Sequence, residues 1–376
     1  MTVSLDRATS RLAFVLAAMV LLAPMSRLEA QSTSSDSGRG REQTPPTEPL
    51  SGARVDKSIR DGLAFLAKRQ DPGTGRFAQH YPVAVTALGG MAFLGAGAEY
   101  NRGPYGDNLS RAVGFLISRA DPNRGGYIHD DSFDKPSRMH GHAYAVLFLS
   151  QVYGTVVGTL NAAGDEARLR EVIRRGVAVI ESAQTSDGGW GYHPKDRFDE
   201  ASITVCCLQA LRAAKDAGFN VTPSVIRRAL RYLKGCAKPD GSFKYSLARN
   251  QSKSTYELTA AAISTFDAAG EYTAAEHKKG VDYMRRRLER FRSRPLDASI
   301  DYKFYGNLYA AQVFHQLGGP DWDRWAPVAQ RQLIDEQGKD GAPAGAWKSR
   351  FGEEYATALA LLILEVPLGF LPIFER

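Results

Sequence analysis

The chain has 376 residues, 43% of them apolar and 24% charged, with a formal net charge of +7. This balance is globular and excludes a disordered, collagen-like or disulfide-scaffolded chain. Glycine is frequent, with 36 residues against 18 prolines, which points to many tight turns between regular elements.

Residues 1–30 read as a secretory signal, with Arg7 and Arg11 ahead of an apolar run from Leu12 to Ala23. That run is short for a membrane span. Leu28-Glu29-Ala30 is an imperfect cleavage site, because Leu28 stands where a small residue is usual. The expectation is export to the periplasm or the extracellular space, with a mature chain starting near Gln31; an uncleaved anchor is the alternative. Residues 31–52 are polar and rich in Ser, Pro and Gly, as in a disordered linker. No later stretch is apolar enough to span a bilayer.

Residues 53–376 repeat a unit of helix, Gly-aromatic turn and helix. Ile59, Leu63 and Leu66 mark the first helix, Gly75-Arg76-Phe77 the first turn, and Pro82 to Gly97 the second helix. The later turns are Gly125-Gly126-Tyr127, Gly188-Gly189-Trp190, Gly241-Ser242-Phe243, a degenerate one around Asp301 to Tyr305, and Gly345-Ala346-Trp347. Each leads into an apolar segment: His142 to Tyr153, Ala201 to Ala217, Tyr256 to Ala269, Asn307 to Leu317 and Tyr355 to Leu364. The turn aromatics are 50, 63, 53 and 104 residues apart, the last gap being two periods. Such a period with two helices each means an all-α array whose units bury their faces on their neighbours. First helices carry charge on one face and second helices are apolar nearly all round, so the first form an outer ring and the second an enclosed one. The basic run from Met284 to Arg294 is then the solvated face of an amphipathic outer helix, with Val281, Met284, Leu288 and Phe291 turned inward. Nothing accompanies it that reads nucleic acid. Cys206, Cys207 and Cys236 read as small buried residues, with a bridge to Cys236 left open.

Gln70 with Gly75-Arg76-Phe77, Gln184 with Gly188-Gly189-Trp190-Gly191-Tyr192, and Gln337 with Gly345-Ala346-Trp347 resemble the repeat of squalene and oxidosqualene cyclases. Ala120 and Ala237 stand at the Gln position of two other copies. The resemblance covers residues 55 to 365 and is to the prenyltransferase and squalene-cyclase superfamily. It implies an α/α toroid (barrel) of about six helix pairs. It also implies where chemistry would sit, and those residues are missing. Squalene cyclases protonate their substrate from an Asp-x-Asp-Asp cluster, for which this chain offers only His129-Asp130-Asp131. The prenyltransferase zinc set of Asp, Cys and His finds no Asp-x-Cys, and the thioester motif Cys-Gly-Glu-Gln is absent.

Polar residues gather where turns feed the inner helices. Candidate catalytic residues are His129, Asp130, Asp131, His140 and Asp199, a mixture that would suit acid–base work. Candidate ligand-binding residues are His80, Tyr81, His142, Glu200, Tyr256, Tyr305 and Tyr355. Tyr256-Glu257, Asp301-Tyr302 and Glu353-Glu354 stand at the same mouths. Acidic residues at helix starts also serve as caps. His140 and His142 lie two apart, so on a helix they point about 200° away from each other and cannot share one ion. The expectation is no metal site and no cofactor. The leading functional expectation is a non-catalytic toroid holding an apolar or extended small molecule, or a protein partner. The alternative is a divergent enzyme of terpenoid, prenyl-transfer or lyase type.

Overall fold

The computed structural model describes residues 52–131, 138–156, 163–247, 253–299 and 302–374. The expected signal segment, the linker up to residue 51 and Asp301 lie outside the described residues. Among the described residues twelve α-helices alternate outer and inner. The outer helices are α1 (Gly52–Arg69), α3 (Gly106–Ser118), α5 (Ala163–Ser182), α7 (Pro223–Cys236), α9 (Ala275–Arg290) and α11 (Gly319–Glu336). The inner ones are α2 (Pro82–Gly95), α4 (Arg138–Val156), α6 (Ala201–Asp216), α8 (Tyr256–Ala268), α10 (Lys303–Leu317) and α12 (Glu353–Glu365). Each inner helix packs on the next, and α12 packs on α2, so the inner ring closes.

Residue pattern explains the two layers. On α7, Val225, Ala229, Leu230, Leu233 and Cys236 are buried while Arg227 and Arg231 are exposed. On α9, Val281, Met284 and Leu288 are buried while Arg285, Arg286 and Arg290 face solvent. By contrast, every residue of α2 except Ala84 is buried. An outer helix therefore needs one apolar stripe and an inner one needs apolar residues all round.

The turns are stapled the same way around the ring. The Gln70 Nε2 amide donates to Gly75 O at 2.8 Å and to Asn108 O, at the start of α3, at 2.9 Å. Gln184 does so to Gly188 O and Val225 O of α7, both at 2.9 Å. Where Ala120 and Ala237 replace Gln, backbone pairing substitutes: Ala120 pairs with Ile128, and Ala237 bridges to Phe243. Glycine is required at Gly188, whose φ is +98° and where a Cβ would stand 2.6 Å from Arg228 O on the next outer helix. An L side chain there meets both strain and backbone. Trp190 and Trp347 fill the space behind the turns, fully buried. Their indole N–H groups donate to Ile180 O (2.7 Å) and Leu333 O (2.9 Å). In the degenerate fifth repeat a 3-10 turn, Pro295–Ala298, replaces the Gly-aromatic turn, and α10 starts four residues before the apolar run that announced it.

Candidate functional site

One position on each inner helix ties that helix to its turn. Thr86 Oγ1 accepts the Phe77 N–H (3.2 Å), Thr204 that of Trp190 (3.2 Å), Thr259 that of Phe243 (3.1 Å) and Thr357 that of Trp347 (3.1 Å). In the second repeat His142 Nδ1 takes the Ile128 N–H at 3.0 Å. In the fifth, Asn307 Nδ2 donates to Leu296 O at 2.8 Å. A tether directed at the turn directs the residue two before it the other way, since two helical steps rotate by about 200°. Those residues are Ala84, His140, Ser202, Glu257, Tyr305 and Tyr355, and all six line one cavity of about 300 Å³ inside the ring of inner helices.

Apart from Val85 and Leu258, the remaining wall is aromatic. Tyr81, Tyr144, Tyr192, Tyr245 and Tyr302 join Tyr305 and Tyr355, giving seven tyrosines, with Phe351 beside them. Tyr302 and Phe351 stack with ring centres 5.9 Å apart, and the Arg350 guanidinium lies 4.5 Å from the Tyr302 ring centre. Tyr81 caps α2 in the left-handed region, at φ 52° and ψ 47°. The other non-glycine residues at positive φ are Asn101 and Asp340, types that tolerate it, whereas a bulky tyrosine there is strained. At the floor the Cys206 Sγ lies 4.0 Å from the Tyr309 hydroxyl, and Tyr309 meets Tyr305 edge-on at 4.9 Å. Burial raises the phenols of Tyr144, Tyr305, Tyr309 and Tyr355 and pushes the Cys206 thiol up to about 11. Burial also pushes His140 down to about 4. His140 is half-buried and lines the cavity. These groups are therefore neutral at pH 7. Among the described residues Glu257 is the one carboxylate in the wall; it is buried, and Ser299 Oγ donates to its Oε1 at 2.8 Å.

Of the sequence candidates, Tyr81, His140, Glu257, Tyr302, Tyr305 and Tyr355 line this cavity. Glu200 stands behind its wall, accepting the Tyr192 hydroxyl at 2.6 Å. The others are elsewhere, and the expected acid–base grouping does not assemble. His142 is fully buried, its second nitrogen 3.1 Å from Gly176 O on α5, so it belongs to the turn and not to a ligand site. Asp199 is fully buried and accepts from Thr185 Oγ1 (2.9 Å) and Ser246 Oγ (3.4 Å). His129, Asp130 and Asp131 form an ion cluster at the second turn: Asp130 with Arg119 (3.4 Å), Asp131 with Arg124 (3.2 Å) and Arg138 (3.0 Å), and His129 3.3 Å from Asp131. Burial acts to raise the Asp131 carboxyl, but His129, Arg138 and Arg124 outweigh it and hold it below the ordinary value. Tyr256 is buried outside the cavity wall, and His80 lines a separate groove with Arg69, Arg76 and Glu354. Among the described residues no group of three His, Cys, Asp or Glu is placed to hold a metal ion.

Tyr144, Tyr192, Ser202, Tyr245 and Phe351 were not singled out by the sequence. Tyr192 and Tyr245 carry a signal nonetheless, each lying two residues past a turn aromatic, Trp190 and Phe243.

No protein-family profile matches the chain. Over 207 residues, 49% of its length, it is 28% identical to squalene–hopene cyclase of Alicyclobacillus acidocaldarius, covering 31% of that enzyme. Over 102 residues, 26% of its length, it is 33% identical to alpha-2-macroglobulin of Thermotoga maritima, covering 6% of that protein. The chain thus spans less than a third of the length of these curated relatives. Among solved structures it matches cellobiose 2-epimerase of Spirochaeta thermophila with a TM-score of 0.59, at 14% identity, over 83% of this chain and 95% of that one. It matches a type II terpene cyclase from Scytonema with a TM-score of 0.55, at 14% identity, over 85% of this chain and all (100%) of the other. The chain has the α/α-toroid fold of these solved structures, and part of it is similar in sequence to squalene–hopene cyclase. Within this toroid the cavity occupies the place the repeats define, at the amino-terminal ends of the inner helices.

Proposed function

We propose that the toroid binds a small apolar molecule, of isoprenoid or ring-bearing type, in the tyrosine-lined cavity without converting it. The observation that carries this reading is the wall of seven tyrosines and Phe351 around about 300 Å³. Such a wall supplies apolar ring faces for dispersion and a few hydroxyls for orientation. A volume of that order lies at the lower end of the range for small-molecule pockets. The Scytonema cyclase has also been solved with geranylgeranyl dihydroxybenzoate as substrate, which supports an apolar ligand. The test is titration with geraniol followed by tyrosine fluorescence, together with mass spectrometry of a solvent extract of the purified protein. Saturable binding, weakened by Tyr305→Ala, is the expected result. No binding and an empty extract would remove the reading.

Enzymatic turnover is the second reading, and one observation favours it. His140 and Glu257 occupy equivalent cavity-facing positions of two repeats, so a base that is neutral at pH 7 and a carboxylate share one wall. Product formation from geraniol or geranyl diphosphate, abolished by Glu257→Gln, would establish it over simple binding. Export belongs to the same proposal. Amino-terminal sequencing of the chain recovered outside the cytoplasm, starting near Gln31, is the check.

A further inference from the structure

A second cavity, of about 410 Å³, opens at the opposite ends of the inner helices, among the last turns of α6, α8 and α10. Its wall is polar: Ser264, Asp267, Gln312 and Gln316, with Tyr272 on the rim and the Pro372–Phe374 turn closing one side. We propose that it is a binding site for a neutral polyhydroxylated ligand, a saccharide.

The argument starts at Gln312, which is 9% exposed. Its Oε1 accepts from Ser264 Oγ at 2.7 Å and from Gln209 Nε2 at 3.4 Å. Both bonds go to the carbonyl oxygen, so the Nε2 amide, with two N–H donors, has no protein partner among the described residues and lies in the cavity wall. Its two N–H groups are therefore available to an acceptor in the cavity. The amide is also fixed in place. Gln209 accepts the Tyr309 hydroxyl at 3.2 Å, so a chain of hydroxyl and amide groups along the toroid axis holds Gln312 in one orientation.

The second observation is Asp267. His277 Nε2 holds its Oδ1 at 2.7 Å, and its Oδ2 has no partner among the described residues. Arg212 is matched by Asp216 at 2.8 Å and also donates to Ala268 O. The cavity therefore offers no cluster of one sign to hold an ion. It offers donors and acceptors together, and each sugar hydroxyl both donates and accepts. Tyr272, 47% exposed, adds a ring face at the rim and is itself braced edge-on against His277 at 6.4 Å. A sugar presents an apolar C–H face to such a ring while its hydroxyls meet the amides.

The experiment is calorimetric titration of the full chain with glucose, cellobiose and trehalose. Saturable binding of at least one sugar is expected. Tyr272→Ala, at an exposed position, should weaken it roughly tenfold at unchanged Tm, and Gln312→Leu should weaken it at least as much, as loss of a buried donor predicts. No heat with any of the three sugars overturns the proposal. So does binding that survives Tyr272→Ala but is lost in Tyr305→Ala, which would put the sugar in the aromatic cavity instead.

Discussion

His140 and His142, two residues apart on α4, are directed to opposite sides of the helix: His140 lines the aromatic cavity, while His142 joins the second turn to the outer helix α5. The same division recurs in every repeat, with Thr or Asn in place of His142. A histidine at the tether is the unusual case, because it can take up a proton. Its Nδ1 accepts the Ile128 N–H, so protonation there would break the bond to the turn.

The first prediction follows from this. Burial, partly offset by the Gly176 carbonyl, pushes His142 down to about 4, against an ordinary value near 6.5. Between those values the unfolded chain takes up a proton that the folded chain refuses. Stability from His142 is therefore complete above about pH 6.5 and is lost as pH falls toward about 4, by up to about 3 kcal/mol. His140 acts in the same direction. Urea unfolding across this range should show the decline. His142→Asn, which supplies the side-chain type of the fifth repeat, should lower stability at pH 7 and flatten the acid slope. An unchanged slope would mean that other groups carry the acid sensitivity.

The second prediction concerns Trp190, whose place was legible in the sequence. It is fully buried and its indole N–H is used. Trp190→Ala should cost roughly 3–5 kcal/mol, as removal of a large core aromatic does. A Tm shift near zero in thermal unfolding would contradict this.

What the sequence displayed and what it hid have a common cause. The Gly-aromatic turns, with Gln70, Gln184 and Gln337 ahead of three of them, recur at similar intervals because each repeat solves the same local problem, so the toroid could be read from spacing. The cavity wall depends on which side of each inner helix faces the axis, and an all-apolar helix such as α2 carries no polar stripe to show it. The orienting residues, Thr86, Thr204, Thr259 and Thr357, are visible in the sequence but become informative only when their turn partners are known. Charge misled in the other direction. His129, Asp130 and Asp131 drew attention as a dense polar run, yet Arg119, Arg124 and Arg138 neutralise them, and pairing of that kind is not written in composition.

The third prediction concerns the thiols. Cys206, Cys207 and Cys236 are all free and buried. Burial raises Cys207 and pushes Cys206 up to about 11 and Cys236 up to about 12. Thiol reagents attack the thiolate, so the native protein should be inert to Ellman's reagent at pH 8, while the denatured protein should give three thiols per chain. One thiol per denatured chain would instead reveal a bridge, the arrangement the sequence left open.

The last prediction tests the closure of the ring. Gln337, at the end of α11, donates to Gly345 O and to Ser58 O on α1, both at 2.9 Å, and accepts from Ser58 Oγ at 2.7 Å. It is the same staple as Gln184 makes inside the ring, but here it joins the last repeat to the first. In an open array the terminal units have one neighbour and loosen first; in this ring α1 is held on α12 and by Gln337. Gln337→Ala and Gln184→Ala should each cost about 1–3 kcal/mol, because each leaves two backbone carbonyls without their donor. Their hydrogen-exchange patterns should differ. Gln337→Ala should raise exchange in α1 and in the Gly338–Trp347 turn while α5 to α7 stay protected, and Gln184→Ala should do the reverse. If both variants raise exchange evenly around the ring, the toroid opens as one cooperative unit and the Gln337–Ser58 contact has no special part in holding it shut.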